Sequence, residues 1–483
     1  MGSRWFTATQ RTLVLSEKDN KKPYRQKMKP AAGRSASPSP RASFADKPGL
    51  EARAAAAKIL GAVIDRKTSL DGMLDPGHGN PSYRALSDAD QALVRAILNS
   101  ALRHLPRIEA AISGLIDSPL PEGARALHHV LVIAAAQILY LDIPDHSAVD
   151  LAVEQANRDP RNRRFAKLVN AVLRRLSREK VEILAATAAI PAMPAWFFER
   201  LATVYGRDAA TRISDAQLEP AAIDLSVKSD PEGWAKRLGG RVLATGSVRL
   251  GAFDGGIPSL DGFAEGEWWV QDAAAAIPAR LFGDLSGKTV VDLCAAPGGK
   301  TAQLILAGAE VTALDQSASR LKRLQGNLAR LKLEATTREI NMADFQPETL
   351  FDAALLDAPC SSTGTTRRHP DVLWTKGPED IAKLANLQEK LLRHALTVVK
   401  PGGLVVFSNC SLDPLEGEEV VARVLADTPD YERVAISKDE WPGLEDAITA
   451  AGEFRTTPAM LPASEGISGG LDGFFAAILR RKL

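Results

Sequence analysis

Cysteine is scarce in this chain. Its 483 residues contain three, Cys294, Cys360 and Cys410, widely spaced and without a C-x-x-C pair. An odd, scattered set of thiols argues against a disulfide framework and against a zinc site, so no metal is expected. Long apolar runs are missing as well. The longest, Val130 to Leu141, is broken by Gln137 and falls short of the roughly 20 residues that a bilayer span requires. No membrane partner is expected. The basic N-terminus is not followed by a continuous apolar stretch, so no secretory signal is read and a reducing cytoplasm is the expected location. Net charge is nearly absent too, at +1, while hydrophobic residues make up 45% and charged residues 25%. Those proportions are ordinary globular usage and exclude a collagen-like, coiled-coil or wholly disordered chain.

The near-zero charge hides an uneven distribution. Residues 1–48 carry +8, residues 49–180 carry +3, and the remainder carries −10. The first segment has Lys-Lys-Pro and Ser-Pro runs and few large apolar residues, a composition unable to offset ordering entropy. It is read as a disordered basic tail. Residues 49–180 read as all-helical, with helices expected at Glu51–Leu74, Ser87–Ser113 with an interruption near Pro106, Glu122–Leu141, Ser147–Asn157 and Arg163–Arg178. Nine Lys/Arg lie between Arg158 and Lys180 against two acids. In the last helix Phe165, Leu168, Val169, Val172, Leu173 and Leu176 share one face and leave the arginines on the other. That basic face is a candidate phosphate-binding footprint, a merely solvated helix face being the alternative.

Residues 181–265 read as a connector, with a helix from Trp196 to about Ala216 and strand candidates at 222–227 and 241–250. From residue 266 to 483, strand-like runs at Thr289–Leu293, Glu310–Leu314, Ala353–Asp357 and Leu404–Ser408 alternate with helical ones. That alternation predicts an α/β doubly wound, mostly parallel sheet with its ligand across the carboxyl ends of the strands. The first strand runs into Asp292-Leu-Cys-Ala-Ala-Pro-Gly-Gly-Lys-Thr301. Its glycines are adjacent, so it fits neither the Walker A spacing nor G-x-G-x-x-G, which disfavours a nucleotide hydrolase and a nicotinamide dehydrogenase. Small residues there let the backbone approach a ligand. Asp315 ends the next strand, where a carboxylate can accept both ribose hydroxyls. Asp344 and Asp357 follow the next two strand-like segments. One such acid could simply cap a turn; three in series point to a binding edge.

The decapeptide ending at Thr301 resembles the first motif of the RNA cytosine-5 methyltransferases that use S-adenosylmethionine. Ser147–Glu154 and Lys167–Arg175 resemble the NusB family of helical RNA-binding domains. The chain as a whole is similar to the bacterial ribosomal RNA small-subunit methyltransferases of the Fmu/Sun type, which join a NusB-like domain to a class I, Rossmann-like catalytic domain. The resemblance implies that Cys294, Ala295, Ala296, Pro297, Gly298, Gly299 and Lys300 cradle the methionine part of S-adenosylmethionine. It also implies that Asp315 takes the ribose and Asp344 the adenine edge, and that Asp357 stands between cofactor and target base. It further implies RNA as partner, 16S ribosomal RNA in particular; a monomer is expected.

Cytosine C5 is a poor nucleophile, and a thiolate adding at C6 makes it one. Two cysteines qualify: Cys360 in Asp357-Ala-Pro-Cys-Ser-Ser-Thr-Gly364 and Cys410 in Phe407-Ser-Asn-Cys-Ser-Leu-Asp-Pro414. Pattern alone does not choose between them. The resemblance does, with the later cysteine attacking and the Pro-Cys thiol assisting release, so Cys410 is the nucleophile and Cys360 the release residue. Asn409 stands where the family commonly has Thr, and Pro414-Leu-Glu-Gly-Glu-Glu419 where it has Pro-Glu-Glu-Asn. The run Arg367–Trp374 combines cations with an aromatic, suiting phosphate contact and base stacking, a structural loop being the alternative. A non-catalytic ribosomal RNA-binding assembly factor, or a methyltransferase acting on another RNA or on protein, remains the competing function.

Overall fold

The computed structural model describes residues 47–483 apart from 254 and 465. The expected basic tail therefore lies, but for its last two residues, outside the described residues. Helices Leu50–Arg66, Asp88–Arg103, Leu105–Gly114, Arg125–Tyr140, Asp145–Arg158 and Ala166–Arg178 share a core that includes Ile59, Leu98, Leu131, Val169 and Leu173. Two expected helices are shorter than their periodicity suggests. The first stops at Arg66, where Lys67 turns left-handed with φ 53° and its N–H reaches the Ala62 carbonyl. The second divides at His104, because Pro106 has no N–H for the Leu102 carbonyl four residues back. The last helix keeps its expected faces: Val169, Val172, Leu173 and Leu176 are buried, while Arg174, Arg175 and Arg178 are exposed.

The segment expected as one helix from Trp196 is two, Ala195–Tyr205 and Arg207–Ala216, parted by Gly206 at φ 84°. A small antiparallel sheet follows. Its strands β1 (Asp224–Val227), β2 (Gly240–Val242), β3 (Val248–Leu250) and β4 (Trp268–Val270) lie in the order β2-β3-β1-β4. The stretch 241–250 is thus a hairpin rather than one strand. Because β4 pairs with β1, this sheet extends past residue 265.

The large sheet comprises β5 (Thr289–Asp292), β6 (Glu310–Asp315), β7 (Thr336–Glu339), β8 (Phe351–Asp357), β9 (Val399–Asn409), β10 (Tyr431–Val434), β11 (Phe454–Thr456) and β12 (Phe474–Arg481). Strand order is β10-β12-β9-β8-β5-β6-β7, with β11 on β12. The five central strands are parallel and β12 closes antiparallel to β9. Side chains alternate by the two-residue period of a strand. Val290, Leu355, Val406 and Ile478 enter one core, and Val291, Leu356, Phe407 and Phe475 the other. Burial of each contributes about 1.5–3 kcal/mol. The chain winds outward in opposite directions from β5 and β8, which makes their carboxyl ends the switch point where a ligand belongs.

Candidate active site

At that switch point a cavity of about 290 Å3 is lined by residues from the ends of five strands. β5 leads into Leu293, Cys294 and Ala296, β6 into Asp315 and Gln316, and the turn after β7 into Asn341 and Met342. β8 leads into Asp357, Pro359 and Cys360, and β9 into Cys410. The tight loop after β5 is braced from helix Ala318–Arg330. Arg320 donates to the Ala296 carbonyl at 2.8 Å and Asn327 to the Pro297 carbonyl at 2.9 Å. Gly298 sits at φ 102°, a conformation that side-chain-bearing residues rarely adopt. Below the loop, buried Asp292 accepts from Thr301 Oγ1 at 2.7 Å, and burial pushes its carboxyl up to about 7.

Asp315 is buried, and its Oδ2 accepts no hydrogen bond, facing only the Arg320 guanidinium at 3.3 Å. An unsatisfied carboxylate oxygen in the wall of a cavity is an acceptor for ligand hydroxyls, and with the close backbone of the loop it fits an adenosyl group. Cys294 and Ala296 line the cavity from the expected cradle. Ala295, Pro297, Gly298 and Gly299 shape the loop behind them. Burial pushes the Cys294 thiol up to about 12, leaving it a neutral wall group. Lys300, the last residue of the expected cradle, is not among the lining side chains. Its Nζ pairs with Asp357 Oδ2 at 2.7 Å over the ring of Phe474, and Ser408 Oγ donates to Asp357 Oδ1 at 2.9 Å. Asp344 is exposed and is not among the lining side chains, whereas Asn341 and Met342 are. Gln316, Arg320, Asn341 and Met342 escaped the sequence reading, although Asn341 lies just beyond the end of β7, where the strand-end rule looks.

Cys360 and Cys410 meet, with their Sγ atoms 3.4 Å apart. The hydrogen bond with Cys410, followed by burial, holds the Cys360 thiol well above its usual range, so Cys360 keeps its proton beside Cys410. Beneath the pair lies an unanticipated group, the fully buried Glu416. Its carboxylate accepts from the Ser361 N–H at 2.8 Å, from the Ser361 hydroxyl, and from Gln388 Nε2 at 3.0 Å. Its carbonyl accepts from Asn409 Nδ2 at 2.6 Å.

The Arg367–Trp374 run does not present a nucleic-acid surface. Arg367 is buried and donates to the Gly469 carbonyl, while Arg368 bridges Asp272 at 2.6 Å and Asp472 at 3.1 Å. His369 pairs with Asp71, Asp371 accepts from the Leu70 N–H, and Trp374 Nε1 donates to the Leu102 carbonyl. The run ties the helical part to the large sheet. Among the described residues no helix is long and apolar enough to cross a membrane.

Residues 283–480 match the family model described as 16S rRNA methyltransferase RsmB/F, and residues 50–178 match that of the NusB family. The chain is 35% identical over 451 residues to ribosomal RNA small subunit methyltransferase B of Vibrio vulnificus, covering 89% of this chain and 99% of that protein. The protein of the same name from Cronobacter sakazakii is 33% identical over 459 residues, covering 90% and 100%. Among solved structures, that of PH0851 superposes with a TM-score of 0.65 at 22% identity, covering 90% of this chain and 99% of that one. At that identity the likeness concerns the fold.

Proposed function

Since the chain belongs to the family of ribosomal RNA small subunit methyltransferases B, and is thereby an S-adenosylmethionine-dependent ribosomal RNA methyltransferase, we propose that it methylates C5 of a cytosine in 16S ribosomal RNA. In this reading residues 49–180 are the RNA-binding module, 181–265 the connector and 266–483 the catalytic unit, and the protein works as a monomer in the cytoplasm.

Bound S-adenosylmethionine supplies an electrophilic methyl group. The loop from Cys294 to Gly299 and Asp315 would hold it, with Asn341 and Met342 lining the cavity where Asp344 was expected. The remaining work falls to the chain's own groups. Cys410 Sγ adds as thiolate to C6 of the cytosine, which must leave its stack to be reached. The new C6–S bond shifts electrons to C5 and makes it nucleophilic toward the methyl group. Once C5 carries the methyl group, its proton passes to a solvent base, the C–H electron pair restores the C5–C6 double bond, and the C6–S bond breaks to release Cys410 as thiolate, with Cys360 assisting this release. Asp357, fixed by Lys300 and Ser408, is placed to orient the base. The observation that carries the reading is the 3.4 Å approach of the two thiols in the wall of the cavity that Asp315 also lines.

The test is transfer of radiolabelled methyl to purified 16S ribosomal RNA, with covalent protein–RNA adducts followed on denaturing gels. Cys360→Ser is expected to accumulate adduct and Cys410→Ser to lose both adduct and methylation. Full activity in Cys410→Ser would sink the mechanism. RNA binding without any methyl transfer by the unaltered chain would favour the assembly-factor alternative.

A further inference from the structure

Glu416 is 0% exposed. Burying a carboxylate is costly unless donors surround it, and an apolar side chain of like volume is often as stable. A buried carboxyl group therefore asks for a reason. Its hydrogen bonds all go to the two segments that carry the thiols, or to the residue that braces them. Ser361, which gives it both an N–H and a hydroxyl, adjoins Cys360. Asn409, which donates to its carbonyl, adjoins Cys410 and also accepts from the Ser411 N–H at 2.9 Å. Gln388, from helix Pro378–Thr397, divides its amide between Glu416 and the Pro359 carbonyl. The hydroxyls of Ser361 and Ser411 approach to 3.2 Å, and Gly364 N–H donates to the Cys410 carbonyl at 2.9 Å. Two loops 50 residues apart in sequence are thus sewn together beneath the sulfurs.

We propose that Glu416 is a positioning residue that sets the distance between Cys360 Sγ and Cys410 Sγ, by gripping the Pro-Cys loop with its carboxylate and the nucleophile loop with its carbonyl. Asn409 is part of the device: its amide can donate to the Glu416 carbonyl and accept from Ser411 at once, which a Thr hydroxyl at that place reaches less far to do. The assignment rests on the reading that these thiols react with RNA, but the spacing itself can be tested without the reaction.

Phenylarsine oxide is a suitable probe. It condenses with two nearby thiols, forming two As–S bonds and releasing one water with no change of oxidation state. The full-length chain should bind one equivalent, with the Cys360 and Cys410 peptides protected from alkylation and Cys294 not cross-linked. Glu416→Ala should weaken binding about tenfold, the equivalent of 1.4 kcal/mol, and Glu416→Gln, which keeps an acceptor for the Ser361 N–H, should restore most of it. Glu416→Asp, which draws the oxygens back by one methylene, should fall between and serves if the Ala variant fails to fold. In parallel, methylation by the Asp variant should lose kcat with little change in KM for RNA. Equal arsenical binding in the unaltered chain, Ala and Asp variants would overturn the proposal. If Cys410→Ser stays fully active while Glu416→Asp still loses the probe, the reaction assignment falls and the spacing role stands.

Discussion

Two arginine-rich stretches of this chain look alike in composition and end up with opposite tasks. In helix Ala166–Arg178 and the turn before it, Arg163, Arg164, Lys167, Arg174, Arg175 and Arg178 face solvent, and Arg174 and Arg175 pair with nearby Asp150 and Glu179. At Arg367–Arg368 the guanidiniums turn inward and meet partners about a hundred residues away: Asp272, Asp472 and the Gly469 carbonyl. A helix displays its cations on the face its apolar residues leave free. A loop has no such period, so its cations go wherever acids from other elements converge. The first set is available to phosphate; the second is structural.

The largest effect that could break this contrast comes from Arg368→Ala. It strands Asp272 and Asp472, both buried, beside each other. Removing one partner of a buried ionic cluster costs about 3–5 kcal/mol, which a shifted urea midpoint would report. The deficit should depend on pH. Burial, then the Asp272 carboxylate, pushes Asp472 up to about 7 in the folded chain, with Arg368 pulling it down. A carboxyl raised above its unfolded value of about 4 contributes its full stability below that value and loses it as pH rises through the folded value. Without Arg368 the folded value climbs further, so the variant's deficit should be larger at pH 8 than at pH 6. A deficit independent of pH would mean that the cluster is not the cause.

The same contrast explains what could be read from sequence. The alternation of strand-like and helical runs was enough for the parallel sheet, and the acids and cysteines placed by strand ends do gather at its switch point, apart from exposed Asp344. Periodicity also sorted the faces of the basic helix. What escaped was decided by contacts distant in sequence. The Arg367–Trp374 run looked like a nucleic-acid surface because its acceptors, Asp71, Leu102, Asp272 and Asp472, are scattered over the chain. Glu416 enters the sequence reading only within the run Pro414–Glu419, because one acid in an acidic run carries no sign of burial. The helix breaks at Lys67 and Gly206 were hidden for another reason: a single left-handed residue interrupts a helix without disturbing its apolar period.

A smaller effect tests the exposed member of the comparison. Replacing Arg163, Arg164 and Lys167 together with Ala should leave the melting transition nearly unchanged, since these side chains are exposed. RNA affinity should fall, and the slope of log K against log salt should shrink by roughly 2, at about 0.7 per phosphate contact with single strands. An unchanged slope would show that this face does not meet RNA.

The smallest effect probes the seam itself. Pro106 lacks the N–H that would close the helical turn on the Leu102 carbonyl, and Trp374 Nε1 supplies a donor there at 3.0 Å. A local break in one element is thus satisfied by a side chain 272 residues away. Trp374→Phe keeps the aromatic packing against the helical core and removes only the donor, which should cost about 1 kcal/mol. Pro106→Ala restores a backbone N–H near the same carbonyl. In the Trp374→Phe background it should therefore recover more stability than it adds to the unaltered chain, where Trp374 already fills the position. A thermodynamic cycle over the four chains reads this coupling directly, and a coupling energy of zero would mean that the indole and the missing N–H do not answer one another.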